Sequence, residues 1–457
     1  MIMRCRQLVA LCFVTTLSLP ALAQSTPPPP GKPAPFEVPA TQTFTLENGL
    51  AVTLIPYGSI PKTTVRLYTR VGNVHDTRGG LADVAYNLIS EDGSHPKTQH
   101  SADKAAAMGG EVTTSVTEAY STVEISVLSE HTTKALDLMS DLLAHYSPTQ
   151  DTLTRVSETF ARNMSIRATS PNGQASQAFG KAMFGDHPYA MPIPSQDDIM
   201  AITLEDVNGL IKQHVTANNS HLYISGVFDT SATQQAVMDA FAWMQSGTKN
   251  TFSTPAVAQP SQHFVERPDA PQSELRLGLQ VPGPEHKDFV ALDVMNTLLG
   301  GSFSSRITSN IREDKGYTYS PRSSLRVLPN AAYWAQGAAV TAEHTADSLS
   351  EIRKEIALLQ ADGVSDEELR GFKNYMSGLF VLRNSSRGGV ISQLWYQELH
   401  NLPDDRLSKL MGMIDAVQPA DVKRVANQYL PLDNMIRVVV GDPATVPAQL
   451  EALDSGE

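Results

Sequence analysis

Hydrophobic positions recur along the chain in two rhythms. Over residues 79–91, Leu81, Val84, Ala85, Leu88 and Ile89 fall at helical spacing, with Asp83 and Asn87 one turn apart on the other face. The same period predicts helices over 132–146, 149–169, 204–213, 286–299, 302–315, 346–360 and 366–381. Alternating runs predict strands over 64–71, 220–228, 274–281 and 333–340, and two more within 112–128. Residues 44–56 read as a hairpin turning at Asn48-Gly49. In the 302–315 helix, Ser302 is placed to cap the start and Phe303, Ile307 and Ile311 to form one buried stripe. Gly316 supplies a left-handed stop, and Tyr317–Ser320 begins a strand.

The pattern then repeats. Leu204-Glu205-Asp206-Val207 aligns with Pro419-Ala420-Asp421-Val422, Gln213 with Gln428, Asn219 with Asn434 and Gly226 with Gly441, every pair 215 residues apart. A constant offset signals an internal duplication. The expected fold is α+β: two tandem homologous domains, each a mixed β-sheet covered by helices. They are expected at 43–248 and 263–457, joined by a linker at 249–262 rich in Pro, Ser and Thr.

Composition changes the picture at the amino terminus. Residues 1–23 carry Arg4 and Arg6, a mainly apolar run and an Ala21-Leu22-Ala23 cleavage site, and so predict a secretory signal with a periplasmic destination. The run is too short to span a membrane, so no membrane insertion is expected after its removal. Cys5 and Cys12, the two cysteines of the chain, would leave with it, and no cysteine metal site is expected in the mature protein. Residues 24–42 begin as a Pro-rich tether that cannot bury enough apolar surface to fold. The net charge of −13 argues against nucleic acid or an anionic membrane as partner.

Candidate chemistry gathers in residues 300–321, G-G-S-F-S-S-R-I-T-S-N-I-R-E-D-K-G-Y-T-Y-S-P. Arg312 falls on the last helical turn and Tyr319 just past it. A guanidinium beside a phenol suits a carbonyl or carboxylate oxygen. An Arg next to Glu313 and Asp314 also reads as a solvated ion pair, and a strand Tyr as half-buried packing. The stretch closely resembles the second-half signature of the pitrilysin/insulysin zinc metallopeptidases, the inverzincins. It has the glycine turn, S-S-R-hydrophobic, I-R, a charged run, a Gly, and a Tyr seven residues after the Arg. The resemblance implies that Arg312 and Tyr319 hold substrate and stabilise the reacting carbonyl.

It also implies H-x-x-E-H on the 79–91 helix after the same G-L-A. Here the sequence departs: Asp83 and Asn87 stand where the histidines would be and Tyr86 where the base would be. The family's third ligand, a Glu 76 residues past the second His, is Asn163. An amide is a poor zinc ligand, and a phenol with a pKa of about 10 is a poor base at neutral pH. His75, Glu91, His95 and His100 flank the helix, but only His95 and His100 have two-His spacing, and they fall in a polar loop. His187, in Gly185-Asp186-His187-Pro188-Tyr189, reads as turn chemistry.

The resemblance therefore implies a substrate-binding subunit that lacks the zinc site. Such a chain, with no cofactor of its own, would supply Arg312 and Tyr319 in trans to a homologous zinc-bearing partner acting on peptides. The competing reading is a peptide-binding or scaffolding protein of the cell envelope with no catalytic role. An autonomous metallopeptidase would need a metal site that the sequence does not display.

Overall fold

The structure is a computed structural model and describes residues 37–455. The signal sequence and tether predicted for residues up to 36 lie outside the described residues. Strands β1 (Gln42–Thr45), β2 (Ala51–Pro56), β3 (Lys62–Thr69), β4 (Glu111–Val116), β5 (Ser121–Leu128) and β6 (Ser220–Gly226) form one sheet in the order β1-β2-β6-β3-β5-β4. Strands β7 (Ser261–Glu266), β8 (Gln272–Gln280), β9 (Arg322–Leu328), β10 (Ala331–Thr341) and β11 (Ile436–Gly441) form the second, in the order β7-β11-β8-β10-β9.

The two sheets share a wiring diagram. β2 pairs parallel with β6, and β7 parallel with β11. The neighbours that follow, β6–β3–β5–β4 and β11–β8–β10–β9, are all antiparallel. This is the α+β fold of two homologous, helix-covered mixed sheets that the repeat predicts. The hairpin at Asn48-Gly49 joins β1 and β2, with Gly49 at φ +99°.

Burial follows from position in each sheet. β5 and β10 alternate, one face packed and one face partly open, whereas β6 and β11 are buried at every residue. One face of each sheet carries the main core of its own half. The other face is covered from across the repeat. The Pro171–Phe184 helix of the first half lays Phe179, Met183 and Phe184 against Ile436 and Val438 of β11. The Arg387–Leu399 helix of the second half lays Val390, Ile391 and Trp395 against Ile55, Tyr68 and Tyr223 of the first sheet. The halves thus exchange covering helices.

Both exchanged helices start alike. Ser170 and Ser386 are N-caps whose side chains accept from the backbone N–H of Gly173 and Gly389, each at 3.0 Å. These glycines lie against the end of the preceding helix. A Cβ at Gly173 would stand 1.7 Å from the Arg167 carbonyl oxygen, and one at Gly389 1.8 Å from that of Arg383. Residues 245–260 form neither helix nor strand. Among the described residues no helix is long and apolar enough to cross a membrane.

Candidate functional site

The 302–315 stretch departs from a regular helix, and the departure builds the site. A π-helical turn over Thr297–Gly301 ends the Phe289–Asn296 helix. The chain re-enters helix only at Arg306, with Ser305 rather than Ser302 at the N-cap position, and continues as a π-helical segment over Ser309–Asp314. Such wide turns are rare and concentrate at functional sites. Ile307 and Ile311 are buried as expected, but Phe303 precedes the helix, so helical spacing does not apply to it. It is 67% exposed.

Two anchors hold the segment. Arg306 forms a bidentate pair with Glu368, Nε–Oε1 2.8 Å and Nη2–Oε2 2.7 Å, and also donates to the Gly363 carbonyl. The Asn310 amide donates to Glu351 and Glu355. Gly316, at φ +68°, then turns the chain, with its N–H on the Arg312 carbonyl and the Tyr317 N–H on the Ile311 carbonyl.

The result is a three-residue stack. The Arg312 guanidinium lies 4.2 Å from the Phe303 ring centroid and 4.9 Å from that of Tyr319. Both distances are within cation–π range. Arg312 also pairs with Glu313 at 3.2 Å. Tyr319 is 80% exposed, while the Arg312 side chain between the rings keeps only 23% of its surface open. The rings fix a cation whose edge remains available as a donor. Phe303 is the member that sequence reasoning assigned to the core.

The Leu81–Asn87 helix is a different kind of place. All its residues except Asp83 and Asn87 are buried. Asp83 accepts from the Asn73 amide at 2.6 Å, and the Asn87 amide turns back to the Asp83 carbonyl at 2.9 Å. Tyr86 points into the core, next to the Thr69 and Ser121 hydroxyls, and its own hydroxyl forms no hydrogen bond. Burial pushes its acidity further from neutrality. Asn163 lies exposed on the Gln150–Thr169 helix, which packs against this one. Phe160, Met164 and Arg167 of that helix line a cavity of about 640 Å³ together with Asp83.

Burial raises the Asp83 carboxyl despite the Asn73 hydrogen bond. It pushes neighbouring Asp76 up to about 7, against the pull of the Ala82 N–H. One carboxylate already held by an amide, two amides and a core phenol are not a zinc donor set.

The flanking histidines do not substitute. His75 accepts from the Gly72 N–H, His95 stacks on His145 at 4.2 Å, and His100 faces Asp103. Glu91 pairs with Arg155. Among the described residues no group of three or more His, Cys, Asp or Glu could hold a metal. His187 caps its own turn by accepting from the Tyr189 N–H. No hydrogen bond, ion pair or ring contact among the described residues joins Arg312 or Tyr319 to Asp83, Tyr86, Asn87 or Asn163.

Residues 201–376 match the family model described as the peptidase M16 inactive domain. An uncharacterized zinc protease of Bacillus subtilis is 22% identical over 407 residues, covering 87% of this chain and 97% of that protein. The crystal structure of a peptidase M16 inactive domain from Pseudomonas fluorescens superposes with a TM-score of 0.81 at 22% identity, over 88% of this chain and 98% of that one. A chain of complex III2 from Candida albicans reaches a TM-score of 0.75 at 15% identity, over 91% of this chain and all of that one. Residues 201–376 thus match a peptidase M16 inactive domain, and the described chain as a whole shares the two-sheet fold of that solved M16 structure.

Proposed function

We propose that this chain is the substrate-binding, non-catalytic half of a heterodimeric zinc metalloendopeptidase, and that it supplies Arg312 and Tyr319 in trans to a homologous zinc-bearing subunit. The observation that carries the proposal is the Phe303–Arg312–Tyr319 stack, an oriented cation and an exposed phenol on a segment braced by Arg306 and Asn310. A scaffold has no need of that arrangement. The lost donors at 83, 86, 87 and 163 favour a zinc site located in another chain. The same reading puts the protein in the periplasm, on the strength of residues 1–23.

Attack on a peptide carbonyl builds negative charge on its oxygen. A phenol O–H aimed there stabilises the transition state more than the ground state, and losing one such donor costs about 10²–10³ in rate. The test is a reconstituted pair with substitutions made only in this chain. Tyr319→Phe is expected to lower kcat by that order with KM nearly unchanged, and Arg312→Ala mainly to raise KM. Pairs that assemble and cleave at the wild-type rate with both substitutions would make this chain a scaffold instead.

A further inference from the structure

A second cavity, of about 540 Å³, opens between the two halves, and Glu118 and Arg326 line both it and the Asp83 cavity. Those two residues are paired with each other. The remaining charges of the wall are not paired. Asp293, Arg383 and Arg406 all line the cavity, and among the described residues no ion pair within 4.0 Å joins any of them to an opposite charge. Arg406 is turned to the Met413 sulfur at 2.8 Å, while Arg383 is exposed and stands at the rim. The wall therefore carries one net positive charge inside a chain of net charge −13.

Two further polar groups there lack partners. Trp395 and Gln397 are 2% and 8% exposed, and among the described residues the indole N–H donates to nothing and the amide oxygen accepts from nothing. Burial pushes Asp293 up to about 6 against the opposing fields of Arg383 and Arg406. Burial also lowers His400 to about 4 and keeps it neutral. The rings of Tyr396 and Phe289 supply an apolar side. The volume is in the range that takes one small ligand.

We propose that this cavity binds a short zwitterionic peptide of dipeptide size, its carboxylate on Arg406 and Arg383, its ammonium on Asp293 and an apolar side chain against the Tyr396 and Phe289 rings. The proposal holds whether or not Arg312 and Tyr319 act in trans, and its test needs neither a partner nor proteolysis.

The full mature chain is titrated with the dipeptide Leu-Phe, with its N-acetyl and C-amide derivatives, and with free leucine, by calorimetry and tryptophan emission. Leu-Phe is expected to bind saturably. Each blocked derivative should bind at least about tenfold more weakly, the worth of one charge-assisted hydrogen bond. Free leucine should also bind more weakly, since it cannot reach both charged ends and the rings. In Arg406→Gln the affinity for Leu-Phe should fall by a similar factor and the C-amide should lose its disadvantage. The comparison of derivatives is made on the wild-type chain and does not depend on the variant folding. No saturable heat or emission change up to about 10 mM would overturn the proposal, as would equal affinity for the blocked and free dipeptides.

Discussion

Phe303 illustrates how a residue's role depends on where its helix begins. Its exposed ring faces the Arg312 guanidinium, so Phe303→Ala should change global stability little, because little buried area is lost. It should free the cation to reorient, a loss of about 0.5–1 kcal/mol of cation–π attraction. In the reconstituted pair that would raise KM by about two- to fivefold, while urea unfolding of the variant chain stays within error of wild type. Tyr86 presents the converse. Its hydroxyl is buried without a partner, so Tyr86→Phe should be neutral or stabilising by up to about 1 kcal/mol in urea unfolding. Tyr86→Glu places a carboxylate in the same core position and should cost several kcal/mol. A variant designed to restore H-x-x-E-H should therefore fail first in stability, through position 86. The residue types at 83, 86, 87 and 163 were plain in the sequence. The inward direction of Tyr86 was not, because its helix is buried on nearly every side and a single apolar stripe understates that.

Strong periodicity made the long helices and the strand pairs legible, and constant spacing made the duplication legible. The exchanged helices were missed. Pro171–Phe184 is rich in Ala, Gly, Ser and Gln, and Arg387–Leu399 opens on Gly-Gly, so neither shows a broad apolar face. Their hydrophobic residues meet a sheet that comes from the other half, a pairing no local window contains. Their capping serines and third-position glycines were the available signal. At those glycines any side chain must displace a backbone carbonyl. Gly173→Ala and Gly389→Ala should each destabilise the chain by about 1–3 kcal/mol, read from denaturant midpoints, although alanine is the better helix former. An unchanged or raised midpoint would show that the preceding helix end can yield. The 302–315 segment was legible as an element but not as π-helical. Hydrophobic spacing at 307 and 311 fits both the α and the wider helix, and only the hydrogen bonding separates them.

At the scale of the molecule, one polar cluster binds the Arg387–Leu399 helix to the first sheet. Glu398 meets the His221 Nδ1 at 2.5 Å, accepts from the Tyr223 hydroxyl at 2.9 Å and pairs with Arg70 at 3.2 Å. Burial alone would raise the Glu398 carboxyl, but the His221 hydrogen bond and charge, with Arg70, hold it at about 2. A depressed carboxyl adds stability that is complete above its unfolded value, near 4.5, and is lost as pH falls toward 2. Glu398→Gln should therefore lower the melting temperature at neutral pH and flatten the loss between about pH 4.5 and 2. An acid limb as steep as the wild type's would place that titration elsewhere. The exchange of covering helices also bears on what a break in the chain can do. Each half is roofed by a piece of the other, so a protease cutting between 245 and 260 severs the polypeptide and not the particle. The two fragments should travel together on a sizing column and part only in denaturant. The two halves are therefore one unit of folding: removing either would strip the cover from a sheet of the other.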